Sequence, residues 1–121
     1  MTSRGLVIYF HDERIRIFNK TIEELGYPKY IHIYIKEKEK QLFIRRSDTR
    51  DNDTFRINYS KLDGEWRYRI SSRQFVEYLA GVIGVPFPSE SLWFDGVLLQ
   101  DGQTVFIDLD QFHVIEYKQE Q

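Results

Sequence analysis

The sequence contains no cysteine, three prolines and one methionine among its 121 residues. The absence of cysteine excludes disulfides, thiolate-ligated metals and a cysteine nucleophile. No apolar run approaches the roughly 18 residues that a membrane-spanning helix needs, and the first ten residues lack the apolar core of a secretory signal. We therefore expect a single compact domain over residues 1–121, located in the cytoplasm and without a membrane partner.

A strong charge of one sign is also missing, since 17 Lys and Arg stand against 19 Asp and Glu for a net charge of -2. This balance excludes a strongly basic nucleic-acid domain with a pI above about 9. The charges are nevertheless unevenly distributed. Residues 1–60 hold twelve Lys and Arg against nine Asp and Glu, whereas residues 61–121 hold five against ten. This asymmetry predicts a basic face and an acidic face.

Short runs that alternate polar and apolar residues are abundant, and 16% of the residues are aromatic. Alternation with a period of two predicts half-buried strands. The predicted strands cover residues 6–10, 14–18, 31–35, 41–44, 54–59, 66–70, 92–94, 97–99, 105–109 and 112–117. The charged run 36–40 is predicted to be a hairpin tip, and three Asp-Gly pairs are predicted to form turns, at 63–64, 95–96 and 101–102.

Two segments have the pattern of short helices. Residues 21–26 start at Thr21, a predicted N-cap with Glu24 in the reciprocal position, and end at Gly26. A second helix is predicted from Ser71 or Ser72 to about Ile83, with apolar residues at helical spacing.

The two halves of the chain resemble each other. Residues 14–20 align without a gap with residues 67–73, and in each half an arginine-bearing strand leads into a capped helix. We therefore predict an α+β fold made of two related strand–helix–strand–strand units, with a largely antiparallel sheet and two short helices. The first unit covers about 4–46, the linker about 47–53 and the second unit about 54–117.

Five short motifs follow one another in the first unit: RGLV at 4–7, DERIRI at 12–17, IEELG at 22–26, IHIYI at 31–35 and LFIRR at 42–46. This order is similar to that of the AbrB-type swapped-hairpin domain. The resemblance implies a bacterial or archaeal DNA-binding regulator, normally a homodimer. Arg14 matches the arginine of the family's turn, whereas Ile8 and Tyr9 stand where the family has basic residues.

Six basic residues come from the two related segments and form the predicted binding site: Arg14, Arg16, Lys20, Arg67, Arg69 and Arg73. The planar guanidinium group of arginine suits phosphate or carboxylate. One interpretation is a DNA-binding regulator that contacts phosphates through this face. The alternative is a protein–protein interaction module, such as a phage or mobile-element inhibitor that docks on an acidic host protein. Alternating arginines are also typical of a solvated sheet face with no ligand.

The sequence predicts neither an enzyme nor a cofactor or metal site. The three histidines His11, His32 and His113 have no ligand spacing, and no nucleotide-binding or nucleophile motif is present. Asp108 and Asp110 share a strand face. One interpretation is a carboxylate pair for acid–base chemistry or for binding a cation, and the other is a solvated strand end. Six aromatic residues are predicted to lie in the core: Trp66, Tyr68, Trp93, Phe94, Phe106 and Phe112.

Overall fold

The computed structural model describes residues 4–59 and 68–115, and these contain eight strands and two helices. The elements in chain order are β1 (Gly5–Tyr9), β2 (Arg14–Ile17), α1 (Asn19–Glu24), β3 (Tyr30–Lys36), β4 (Gln41–Ser47), β5 (Thr54–Arg56), β6 (Tyr68–Ser71), α2 (Arg73–Ile83), β7 (Leu92–Leu98) and β8 (Thr104–Val114). The predicted turn at 63–64 lies outside the described residues. Within those residues, neither helix has the length and apolar character needed to cross a membrane.

The eight strands form one curled sheet that resembles half a barrel. Their order is β5-β3-β4-β8-β7-β1-β2-β6, and every neighbouring pair is antiparallel. Alternate residues of the strands, such as Ile8, Ile44 and Ile107, are fully buried on the inner face, where Val76 and Leu79 of α2 complete the core. The residues between them point to the opposite, outer face, because successive side chains of a strand alternate.

The predicted α+β fold of two related strand–helix–strand–strand units is wrong. Strands account for 46% of the described residues and helix for 17%, so the sheet sets the architecture. The halves do not pack as separate units either, because β5 pairs with β3, β6 with β2 and β1 with β7. Alternation along a strand fixes which side chains face inward, but it does not specify the neighbouring strand. The local pattern therefore could not reveal this interleaving.

The interleaved order has a regularity of its own. Four strands from each half follow one another along the chain, so that β1 to β4 correspond in order to β5 to β8. Consider the run β5-β3-β4-β8-β7-β1 of the sheet. When each strand is replaced by its counterpart from the other half and the order is reversed, the same run results. Two neighbouring pairs, β4 with β8 and β2 with β6, join corresponding strands.

The two helices differ in how they begin. The predicted cap at Thr21 is wrong, because α1 starts after Phe18, which makes no side-chain cap, and Thr21 lies inside the helix. The hydroxyl of Thr21 instead accepts from the N–H of Gly5 at 2.7 Å and donates to the carbonyl of Gly5 at 2.9 Å. The second predicted helix is confirmed: the side chain of Ser72 accepts a hydrogen bond from the N–H of Phe75 at 3.2 Å.

The predicted turn at 95–96 is also wrong, since both residues lie inside β7 at an irregularity in its register with β8. A Cβ atom on Gly96 would lie 2.7 Å from Cγ1 of Val105 and 3.3 Å from the Cα of Gly5. Glycine is required there because a side chain would meet Val105 of β8 and the backbone of β1, not because the chain turns. The predicted turn at 101–102 is confirmed, since it connects β7 and β8 and Gly102 has a φ of 69°.

Candidate functional site

The arginine-bearing strands β2 and β6 are neighbours in the sheet. They pair in antiparallel register, with Arg16 directly opposite Arg69 and Arg14 opposite Ser71. Directly opposed residues have Cβ atoms roughly 4.5–5.5 Å apart, so Arg16 and Arg69 share one small area of surface. Three of the six predicted site residues are thus brought together.

Alternation along both strands places these arginines on the outer face. Ile15, Ile17 and Ile70 point inward and are at most 7% exposed. Between them, Arg69 is exposed, whereas Arg14 and Arg16 are half-buried. We refer to Arg14, Arg16 and Arg69 as the arginine face.

The ion pairs of the described residues do not include the arginine face. Within residues 4–59 and 68–115, no ion pair of 4.0 Å or less involves Arg14, Arg16 or Arg69. The Nε of Arg16 is buried and has no hydrogen-bond partner among the described residues. Its guanidinium carbon lies 5.5 Å from the centroid of the Tyr9 ring, a cation–π arrangement. Like charges directly opposite each other destabilise a sheet, so this pair carries a cost that an anion would remove.

The remaining predicted site residues do not join the arginine face in the same way. Arg73 donates to an Oε2 oxygen of Glu13 at 2.8 Å, and its guanidinium carbon lies 5.4 Å from the Phe87 centroid. Because β2 and β6 are antiparallel, α1 and α2 follow opposite ends of the pair, which separates Lys20 from Arg73. Arg67 lies outside the described residues.

An aromatic pair extends the outer face beyond the arginines. The register continues from Arg16 to Val7, from Val7 to Trp93 and from Trp93 to His113. The rings of Trp93 and His113 stack with centroids 4.1 Å apart, and Nε2 of His113 lies 3.4 Å from Oδ2 of Asp95. The sequence did not indicate that either ring lies on the surface, since Trp93 is predicted in the core and His113 is given no role.

The six aromatic residues predicted to lie in the core differ in their burial. Phe94 is fully buried, and Tyr68 packs against the core. Trp93 and Phe106 are half-buried on the outer face and Phe112 is 39% exposed, so for these the prediction was wrong. Trp93 and Phe94 are consecutive in a strand, and alternation alone requires one of them to face outward. Trp66 lies outside the described residues.

The two aspartates considered for acid–base chemistry lie at a solvated stretch of β8. The N–H of Asp110 donates to Oδ1 of Asp108 at 3.0 Å, and Nζ of Lys40 lies 3.5 Å from Oδ1 of Asp110. Among the described residues, no group of three or more His, Asp or Glu could hold a metal ion.

A second arginine site connects the start of β1 with the end of α1. Nε of Arg4 donates to both carboxylate oxygens of Glu24, at 2.6 and 2.9 Å. This hydrogen bonding lowers the pKa of Glu24 below its ordinary value, and the charge of Lys20 adds to the effect. Arg4 is therefore already satisfied and serves to hold α1 against the sheet.

Comparison with known proteins gives no match to a family model, a curated protein or a solved structure. The arginine face is therefore the main chemical indication of function. It combines three cations without carboxylate partners in the described residues and a neighbouring pair of stacked rings.

Proposed function

We propose that the chain is a non-enzymatic DNA-binding protein, a cytoplasmic regulator of the AbrB-like kind, that contacts phosphates through the arginine face. The observation that carries the proposal is the direct opposition of Arg16 and Arg69 without a carboxylate in the described residues to neutralise them. A phosphate placed between the two guanidinium groups would convert a repulsive pair into two charge-assisted hydrogen bonds.

The six predicted contacts do not carry equal weight in this proposal. Arg14, Arg16 and Arg69 supply the central phosphate contacts. Arg73 contributes less, because Glu13 already neutralises part of its charge at 2.8 Å. Lys20 reaches the DNA backbone from the other end of the strand pair, and Arg67 stays a prediction from the sequence.

A basic patch on a chain with a net charge of -2 binds DNA by local contacts, not by an overall attraction. Each phosphate that an arginine neutralises releases counterions, so DNA affinity falls as salt rises. The arginine face predicts a moderate slope of about three in a plot of log affinity against log salt concentration.

The test is a binding titration with a short DNA duplex of mixed sequence, in salt from about 50 to 200 mM. In the double variant Arg16→Ala/Arg69→Ala, we expect affinity to fall at least about tenfold and the salt slope to decrease by about two. The matched control is Arg50→Ala/Arg56→Ala, which removes the same charge from exposed positions in the 48–53 loop and on β5. Equal losses in the two double variants, or no DNA binding at about 50 mM salt, contradict the proposal.

The alternative function is a protein–protein interaction module, such as an inhibitor that docks on an acidic host protein. It is favoured by Val7 and Tyr9 of β1, which leave the strand beside the arginines without a basic side chain. Guanidinium groups bind carboxylates with the same geometry as phosphates, so the arginine face serves either partner. A pull-down with crosslinking distinguishes the two: a specific acidic protein retained by the natural chain and lost in Arg16→Ala/Arg69→Ala, with no DNA binding, favours the module.

A further inference from the structure

A cavity of about 590 Å³ lies between α1 and the segment that follows β5. Among the described residues it is lined by Asn19, Ile22 and Glu23 of α1, together with Tyr27 and Tyr59. Residues 19, 22 and 23 share one face of the helix, because side chains three and four positions apart are neighbours. The volume is within the range of about 300–1,000 Å³ that is typical of small-molecule sites. We refer to these five residues as the tyrosine cavity.

Backbone and hydroxyl contacts fix the two tyrosines next to each other. The N–H of Ile57 donates to the carbonyl of Lys29 at 2.9 Å, which joins the segment after β5 to the segment before β3. The hydroxyl of Tyr59 donates to the carbonyl of Pro28 at 2.6 Å, so the half-buried Tyr59 ring is held in place. The Tyr27 ring is 55% exposed, and its centroid lies 6.2 Å from that of Tyr59.

Tyr27 is an unusual residue for its backbone conformation. Its φ of 54° lies in the left-handed region, which residues other than glycine rarely adopt. Backbone strain of this kind is concentrated at functional sites. Because the ring is exposed, burial of the side chain does little to offset the strain. A strained and exposed tyrosine at the mouth of a cavity therefore points to a ligand.

The two tyrosine rings form a corner of the cavity, with their planes at 64° to each other. Two rings at this angle and separation can both face one point that lies within about 6 Å of each centroid, which is the range of a cation–π contact. Burial raises the pKa of Tyr59 to about 12, so this ring is a neutral phenol at neutral pH. The buried Ile22 adds an apolar wall.

Glu23 gives the tyrosine cavity a negative charge. Within residues 4–59 and 68–115, no ion pair of 4.0 Å or less involves Glu23, although Lys20 precedes it by three positions on α1. No lysine or arginine of the described residues lines the cavity. The guanidinium of Arg46, on β4, is already occupied, since it donates to the carbonyl of Leu25 at 2.9 Å and to Oδ1 of Asp48 at 3.1 Å.

We propose that the tyrosine cavity binds a small organic cation with a quaternary ammonium group. Such a group has no N–H to satisfy, so it is held by the faces of aromatic rings and by a nearby carboxylate. A primary ammonium is a strongly hydrated point charge and gives up more water in a cavity lined by rings. The carboxylate of Glu23 disfavours an anion. The tyrosine cavity shares no residue with the arginine face, so this proposal is independent of the proposed function.

The test is a titration of the full, isotope-labelled chain with choline chloride, followed by the chemical shifts of the backbone amides in NMR spectra. We expect saturable shifts at residues 19–27 and around Tyr59, with a dissociation constant of about 1 mM or lower. Sodium chloride at the same concentrations is the control for ionic strength. The uncharged carbon analogue of choline, in which a tert-butyl group replaces the trimethylammonium group, should bind at least about tenfold more weakly.

Substitutions at Tyr27 separate the ring from the rest of the side chain. Tyr27→Leu keeps an apolar side chain at the same strained position but removes the ring, and should weaken choline binding at least about fivefold. Tyr27→Phe is the matched control, since it keeps the ring face, and should change the dissociation constant less than about twofold. If Tyr27→Leu does not fold, the comparison of choline with its carbon analogue on the natural chain decides the question.

A substitution at Glu23 tests the charge of the cavity. Glu23→Gln should weaken choline binding at least about threefold and leave the binding of the carbon analogue unchanged. Glu77→Gln is the matched control, because it removes an exposed carboxylate from α2.

Four results overturn the proposal: shifts that do not saturate by about 10 mM, the same shifts with sodium chloride, equal binding of choline and its carbon analogue, or equal losses in Tyr27→Leu and Tyr27→Phe. Equal losses in Glu23→Gln and Glu77→Gln remove Glu23 from the site and also overturn it. DNA binding by the arginine face is measured separately on Tyr27→Leu and should match that of the natural chain, so either proposal can fail without the other.

Discussion

The two strand–helix segments, β2 with α1 and β6 with α2, begin from similar sequences and are held in place by different means. The helix α2 has eleven residues, the cap at Ser72, a left-handed end at Gly84 and four buried residues. The helix α1 has six residues, no side-chain cap and only Thr21 and Ile22 buried. An isolated helix of six residues is unstable in water, so α1 depends on contacts from elsewhere in the fold.

Those contacts come from the start of β1. Gly5 exchanges two hydrogen bonds with the Thr21 hydroxyl, and Arg4 holds the Glu24 carboxylate. One local pattern can therefore be completed in two ways, by local capping or by tertiary contacts. Perturbing Gly5 and Glu24 should therefore affect the first segment, and perturbing Ser72 the second.

The largest effect is expected from Gly5→Ala. Gly5 has a φ of 130°, and an added Cβ atom would overlap the carbonyl oxygen of Phe94 on β7. Both strain and backbone displacement follow, so the free energy of unfolding should fall by more than about 3 kcal/mol. Urea denaturation measures it. Gly102→Ala is the control, because Gly102 has a φ of 69° but open space around it, and should cost about 1–2 kcal/mol. Equal costs would show that Gly5 makes no close contact in solution.

A smaller effect, dependent on pH, is expected from Glu24. Its hydrogen bonds from Arg4 lower the pKa of the folded carboxyl below the ordinary value of 4.5. The stabilisation is therefore complete above that ordinary value and is lost as pH falls through the folded pKa. Glu24→Gln should lower the free energy of unfolding by about 1–2 kcal/mol at pH 7, a modest loss because the pair is only partly buried. The loss should be smaller at low pH, where the Glu24 carboxylate of the natural chain is protonated. Unfolding curves at a series of pH values check this. A constant difference between natural chain and variant at all pH values contradicts it.

The smallest effect is expected at the start of α2. Ser72→Ala removes the cap on the N–H of Phe75 and should reduce the free energy of unfolding by about 1 kcal/mol. Ser71→Ala is the matched control, since Ser71 is exposed at the end of β6 and does not cap the helix. Thermal unfolding of both variants measures the difference. If Ser71→Ala costs as much as Ser72→Ala, the cap does not stabilise α2.

Several features could be predicted because they depend on near neighbours in the chain. The limits of α2 follow from Ser72, Gly84 and the helical spacing of apolar residues, and the structure has them where the pattern indicates. The hairpin tip between β3 and β4 is also confirmed, with a turn over residues 37–40. The cap at Thr21 failed because a threonine hydroxyl can bond the local backbone or a distant one, and here it bonds Gly5.

The candidate site was predictable only in part. Alternation placed Arg14 and Arg16 on one strand face, and the same rule applies to Arg69 beside the buried Ile70. It could not show that Arg16 lies opposite Arg69, nor that Arg73 is neutralised by Glu13 sixty residues away. The contribution of Trp93 and His113 to the same face depends on β1 and β7 being neighbours, which local sequence does not encode.

The sequence by itself determined which side chains of each strand face inward, because a period of two is a property of the extended chain alone. It also determined α2, whose cap, end and apolar side lie within a dozen residues. Only the tertiary structure decided the partner of each strand, since backbone hydrogen bonds between strands are the same for every sequence and many alternating runs compete for each edge. That choice brought the arginines of β2 and β6 together, and the pairing of β5 with β3 placed Tyr59 beside Tyr27.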